Sequence, residues 1–309
     1  MCGSGGSFRP YVPGQMEAQV RDARRQTETA DYEQAIGERL GDLLQDVNER
    51  DATAINERLT DIKRVIEDYI DDSISLRFGG SVSRHTYVNG LSDVDALVLL
   101  NPNQFAADNP QELLHEFENL LRLTVPSSVR VERGDLAVTL TYGNGLKLQL
   151  LPALKTATGV RIAASDGRGW SNVIHPERFA RRLTSVNQAN SGRVVPLIKI
   201  IKATVEQLPA DVRPRGHHIE ALAMEAFESY QGRATTKAML EHFFEDAARR
   251  VRTPLRDQTR QSDYLDDYMG ASDSEARRRL SGEFDRIHVH LQAGDHDLSV
   301  NGWMDALGL

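Results

Sequence analysis

Phe78-Gly79-Gly80-Ser81, then eleven residues, then Asp93-Val94-Asp95: the reading of this chain turns on that stretch. Asp93 and Asp95 open an apolar run, Val94 to Leu100, which Asn101-Pro102 stops. Side chains two apart on a strand point to one face, so the two carboxylates are expected side by side with Val94 turned into the core. Like charges held that close repel and need a cation or shared protons. Magnesium takes oxygen ligands and is commonly held by one or two carboxylates together with substrate phosphates. Paired ions of this kind clamp the attacking and leaving oxygens of a phosphoryl displacement. Gly80 lets the backbone approach a phosphate, and Ser81 is expected to open a short helix whose free N–H groups favour an anion. Either motif alone is commonplace in loops and at strand ends. Together, in this order and between two strand-like runs, they are a specific signal for a metal-bound phosphate.

Working outward, Ser73 to Phe78 reads as a strand before the glycines. Upstream, Glu17 to Asp71 reads as helix. Asp51 is a plausible N-cap there, and Ile55, Leu59, Ile62, Val65, Ile66 and Tyr69 form one apolar stripe. Downstream, Gln111 to Leu123 is an amphipathic helix. Strands are expected at Val129 to Glu132, Leu136 to Tyr142 and Leu146 to Leu151, with Gly143-Asn144-Gly145 as a hairpin turn. Thr156 to Asn172 reads as a loop or linker. Helices follow at Pro176 to Gln188, Val194 to Gln207, His218 to Tyr230, Thr235 to Val251 and Ser274 to Leu291, and Met304 to Leu309 carries no readable signal. The expected organisation is a flexible tail over 1–16, a sheet-bearing catalytic domain with N-terminal helices over 17–170, and a helical domain over 171–309. The fold class is α+β, with the active-site cleft between a mixed-sheet lobe and a C-terminal helical lobe.

Composition narrows the function. The 309 residues carry a net charge of −8, which argues against a dedicated duplex-DNA binder. The one cysteine, Cys2, allows no internal disulfide and no cysteine-rich zinc site. No signal peptide and no apolar run of membrane-span length is visible, so a cytoplasmic protein is expected. The arginine groups Arg21-Arg24-Arg25, Arg181-Arg182 and Arg277-Arg278-Arg279 are interleaved with acids and read as solvated helix faces. His85 is expected on a helix surface, and His217-His218 at the packed start of a helix rather than on a metal.

The run from Gly80-Ser81 through Arg84-His85-Thr86-Tyr87 to Asp93-Val94-Asp95-Ala96-Leu97-Val98 resembles the cGAS/DncV-like nucleotidyltransferases (CD-NTases) of bacterial CBASS antiphage systems, within the polymerase-β-like superfamily. The resemblance continues through Leu150-Leu151-Pro152-Ala153, Trp170 with His175-Pro176, Val194 to Lys202, Gly216-His217-His218-Ile219-Glu220, and Asp257 with Gln261, Asp266 and Asp267. It implies a polymerase-β-like catalytic lobe. It also implies an enzyme that joins nucleoside triphosphates into a cyclic or linear oligonucleotide messenger with release of pyrophosphate. By resemblance Gly80 and Ser81 hold the triphosphate and Asp93 and Asp95 bind magnesium, with manganese as the alternative ion. Lys199 and Lys202 lie three apart on one helix face, and one of them, with Lys202 the first choice, meets phosphate across the cleft. Trp170 is the candidate for stacking on a base. The implied partners are nucleoside triphosphates and an effector protein activated by the product, and a monomer is the default state.

One departure bears on activity. The family's third carboxylate aligns with Gln149. Strand alternation puts Lys147, Gln149 and Leu151 on one face, so Gln149 is expected to point into the site. An amide cannot act as a base, yet its carbonyl can ligate and it can hydrogen-bond a hydroxyl. Three readings stay open: Gln149 positions the reactants in a working two-carboxylate enzyme, another carboxylate such as Glu132 or Asp135 takes over, or the chain binds nucleotides without turning them over. A nucleotidyltransferase with a protein or RNA acceptor is the remaining alternative.

Overall fold

The computed structural model describes residues 15–48, 57–64, 67, 75–78, 81, 84–88, 94–100, 109–164, 169–257 and 264–308. Gly80, Asp93, Asp51, Gln261 and all but the last two residues of the expected tail lie outside these.

A six-stranded mixed sheet runs in the order β1 (Ser75–Phe78), β2 (Val94–Leu100), β5 (Lys147–Lys155), β4 (Val138–Thr141), β3 (Arg130–Arg133), with β6 (Val160–Arg161) also on β5. The β2–β5 pair is parallel and every other pair is antiparallel. Parallel neighbours need a crossover. It passes through α2 (Pro110–Thr124), which starts on the side chain of Asn109 accepting from the Gln111 amide at 2.9 Å, with Pro110 preset in the first turn. The apolar stripe of α2, Leu113, Leu114, Phe117, Leu120 and Leu121, covers one sheet face. Beneath it lie Ala96, Val98, Leu100, Val138, Leu140, Leu148 and Leu150, all fully buried. At the β4–β5 hairpin Tyr142 donates to Leu146 and Gly145 to Tyr142, with Gly145 at φ +84°, the bulge position that glycine occupies without strain.

β5 runs four residues past the expected Leu151. Pro152 is tolerated because β4 has ended at its pair Val138 with Leu150, so the missing N–H costs no bond on that side. The segment read as a linker folds back: Thr156 caps a tight turn through Gly159, β6 pairs with β5, and Ala163 bridges to Trp170. Its Ile162, together with Ile174 just beyond it, packs with Ala153, Leu97 and Leu99 on the open sheet face.

The helical layer holds α1 (Gln15–Asn48), α3 (Pro176–Ala189), α4 (Val194–Glu206), α5 (Gly216–Phe227), α6 (Thr236–Arg250), α7 (Glu275–His296) and α8 (Val300–Leu307). Residues 57–64 are also helical, and bury Leu59 and Ile62 against the sheet core. α1 starts at Gln15, inside the expected tail, and buries Tyr32, Ile36 and Leu40 in the helical core. α8 departs from the expectation of a featureless C-terminus: Ser299 caps it, Gly308 ends it at φ +70°, and Trp303 is fully buried against α7. Arg277 is a second correction. It lies fully buried, its guanidinium donating to Asp266 at 2.6 Å and to the carbonyls of Gly270, Val251 and Thr253. A buried arginine with this many acceptors is a structural clasp, and only Arg278 and Arg279 of that triplet are exposed.

Candidate active site

The site is built by strand register. Phe78, the last residue of β1, pairs with Ala96, so the chain leaving β1 toward Ser81 and the chain entering β2 at Asp95 share one end of the sheet. β5 runs parallel to β2 with Asp95 opposite Gln149, and the row continues through Thr139 of β4 to Glu132 of β3. Residues paired this way share a face. It is the face opposite α2, and Asp95, Gln149 and Thr139 are all half-buried on it. Adjacent strands lie about 4.8 Å apart, so the amide of Gln149 stands beside the carboxylate of Asp95.

Glu132 is two strands from Gln149, roughly 10 Å by the same spacing. It is exposed and accepts from Arg130 at 2.6 Å. Asp135 sits exposed in the turn after β3. Neither carboxylate stands next to Asp95. Among the described residues no three histidine, cysteine, aspartate or glutamate side chains gather into a metal cluster.

Ser81 is buried and its carbonyl accepts the Thr86 amide at 2.9 Å, which closes the turn that follows it. That turn is clasped by the helical layer. Glu220, fully buried on α5, accepts from Arg84, from the hydroxyl of Thr86, and from Lys202 of α4 at 2.8 Å. Lys202 also donates to the Thr86 carbonyl at 3.0 Å and to its hydroxyl at 3.3 Å. Burial by itself would raise the Glu220 carboxyl, but Lys202 and Arg84 outweigh it and hold the group down at about 2. Two cations meet one carboxylate, so the cluster keeps one positive charge within a few residues of Ser81. Arg84 also lies over the Phe179 ring, 5.1 Å from its centre.

The other expected residues fall as follows. Lys199 donates to Asn48 at the end of α1. Trp170 packs against the sheet core and bridges to Ala163. His85 is an exposed turn residue at φ +60°, not a helix-surface residue. His217 and His218 open α5 as expected. His218 is fully buried, which lowers it to about 4. Tyr268 accepts the Arg215 amide at 3.0 Å and shares a hydrogen bond of 2.9 Å with Nδ1 of His218, whose Nε2 lies 3.4 Å from Asp266. Asp266, noted in the sequence as part of a polar segment, is the buried partner of Arg277. Sequence reading missed Glu220 as a functional residue. Its only signal was a carboxylate between Ile219 and Ala221, at the head of the apolar stretch of this helix.

Neither a protein-family model nor a curated protein matches the sequence. Solved structures do. CdnG, a CD-NTase of Bradyrhizobium diazoefficiens in complex with GTP, aligns at TM-score 0.67 and 13% identity, covering 89% of this chain and 96% of its own. CdnC of E. coli MS115-1 with ATP aligns at 0.65 and 16%, covering 83% and 91%. Escherichia coli DncV bound to 3'-deoxy GTP aligns at 0.64 and 13%, covering 95% and 91%. The chain has the CD-NTase fold, sheet lobe and helical layer together.

Proposed function

We propose that this chain is a nucleotidyltransferase that links nucleoside triphosphates into a cyclic or linear oligonucleotide messenger. The observation that carries the reading is the register that sets Asp95 beside Gln149 at the sheet end from which the chain departs toward Ser81. A carboxylate and a neutral amide share one face, at the sheet end from which the chain departs toward Ser81, in a fold shared with proteins solved with ATP and GTP. Asp93 and Asp95 would hold magnesium or manganese, with the Gln149 carbonyl as a neutral neighbour. A half-buried carboxylate suits an ion that keeps water and phosphate in its shell. Such an ion, when bound, neutralises charge on the phosphates and polarises the α-phosphorus.

The protein's own contribution is placement. Gly80 and Ser81 seat the triphosphate. Lys199 and Lys202 bring positive charge from α4. Gln149 accepts a hydrogen bond from the attacking 2′ or 3′ hydroxyl at its amide oxygen and aligns it with the α-phosphate. Positioning and electrostatics supply most of the rate in phosphoryl transfer, so the lack of a third carboxylate leaves the reaction feasible. In a signalling setting the product would act on an effector protein.

The test uses all four α-labelled nucleoside triphosphates with magnesium or manganese, followed by phosphatase. Labelled product that survives phosphatase is expected, and it should vanish in the Asp93→Ala/Asp95→Ala variant. Its mass reports bases and ring size. The absence of product with either ion would overturn the reading in favour of a nucleotide-binding protein without turnover.

A further inference from the structure

Lys202 is placed where a phosphate contact would be sought, yet its three N–H donors are committed. An ammonium has three, and they go to the Glu220 carboxylate, the Thr86 carbonyl and the Thr86 hydroxyl. Its side chain is 9% exposed and that of Glu220 is 0% exposed. The Thr86 hydroxyl, accepting from Lys202, passes its own proton toward Glu220, so the three groups close a ring. Arg84 fills the second oxygen of Glu220. Nothing in this ring is left over for a ligand.

We infer that Lys202 and Glu220 are positioning residues: together they lock the turn carrying Arg84 and Thr86, and through it Ser81, into the geometry that receives a triphosphate. The inference rests on the nucleotidyltransferase reading and assigns these two residues a different part in it from a direct ion pair with phosphate. The geometry favours it because the ring joins three elements distant in sequence, the turn after β1, α4 and α5. A turn whose carbonyl and hydroxyl are both held cannot swing away from the sheet end. Breaking the ring misplaces the Ser81 backbone without removing a single atom from the phosphate contact.

The two roles give opposite outcomes on Glu220→Gln. If Lys202 contacts phosphate directly, the substitution frees the ammonium and triphosphate affinity holds or rises. If the ring positions the turn, Gln places an amide N–H against a donor, one arm opens, and affinity falls. Equilibrium titration of the full chain with the α,β-methylene analogues of ATP, GTP, CTP and UTP in magnesium reads this without turnover. A loss on the order of a hundredfold is expected for Glu220→Gln. A similar loss is expected for Lys202→Met. The double variant should be little worse than either single one, because both act through one unit. Glu220→Asp, which keeps the charge, should recover part of the loss. Unchanged or tighter binding by Glu220→Gln, or additive losses in the double variant, would overturn the inference and leave the enzyme reading standing. Failure of the wild-type chain to bind any of the four analogues would overturn both. Should Glu220→Gln not fold, Thr86→Val removes the hydroxyl link alone and is expected to weaken binding in the same sense.

Discussion

At the scale of single residues the site is defined by what stands next to Asp95. A carboxylate at position 149 would be repelled by Asp95 and would depend on a cation for stability; a neutral amide meets no such repulsion and can stay in place without the ion. On the proposed reading, Gln149 would give up affinity for metal in exchange for a neighbour that needs none. Two consequences can be measured. Gln149→Leu, which keeps the volume and loses both polar atoms, is expected to lower product formation on the order of a hundredfold, as loss of one oriented polar group in a reacting site does. Gln149→Asp is expected to lower the magnesium concentration that half-saturates the reaction, because it adds a charge to the cage. A product–magnesium titration of the three proteins decides it, and identical curves for wild type and Gln149→Asp would remove Gln149 from the site. The position was legible from the period-two pattern of β5. The identity of its neighbours, Thr139 on one side and Asp95 on the other, was not, because register is a property of pairs of strands.

At the scale of elements, the C-terminus shows how packing makes structure that local signals leave undeclared. α8 is eight residues long, below the length at which an isolated helix is stable in water. It persists because Trp303 is buried against α7, and α7 accommodates it at a glycine. A Cβ on Gly294 would lie 2.9 Å from both the backbone nitrogen and the Cα of Trp303. Gly294→Ala is thus expected to destabilise the fold by about 1–3 kcal/mol, the usual cost of overpacking. Gly282, in the same helix with open space around it, supplies the control: Gly282→Ala should stabilise by roughly 0.5–1 kcal/mol from helix propensity alone. Thermal or denaturant unfolding of the two variants should move in opposite directions, and a neutral Gly294→Ala would show that the α7–α8 approach is looser than described.

For the whole molecule, stability is tied to two buried polar clusters, and both respond to acid. His218 sits near 4, below the 6.5 of an unfolded histidine, and its ring faces Tyr268, Asp266, Arg277 and His217. Between those values the unfolded chain takes up a proton that the folded ring refuses. Stability therefore falls as pH falls from about 6.5 to about 4. Glu220 follows in the next window. Its carboxyl lies near 2 against an ordinary 4.5, so its contribution is present above 4.5 and is lost as pH drops toward 2. The thermal midpoint is expected to decline in two successive stages. His218→Asn, which retains an acceptor for Tyr268 and cannot protonate, should flatten the stage between pH 6.5 and 4. An unaltered slope in that variant would assign the upper stage to other groups.

The sequence alone determined the elements that have a period and a stop: the strand over Val94–Leu100, the amphipathic α2, the hairpin at Gly143-Asn144-Gly145 and the capped helices of the second half. Apolar periodicity and cap chemistry are local and survive without a partner. It also placed Asp95 and Gln149 on the face where they stand. Tertiary structure decided what depends on distant neighbours: the fold-back of β6 onto the sheet, the burial of Arg277 inside a triplet that looks solvated, the α8 helix, and the ring of Thr86, Lys202 and Glu220. A charge in a sequence carries no mark of being buried or exposed. Only the arrival of partners from elsewhere in the chain makes burial of Glu220 or Arg277 less costly than solvation.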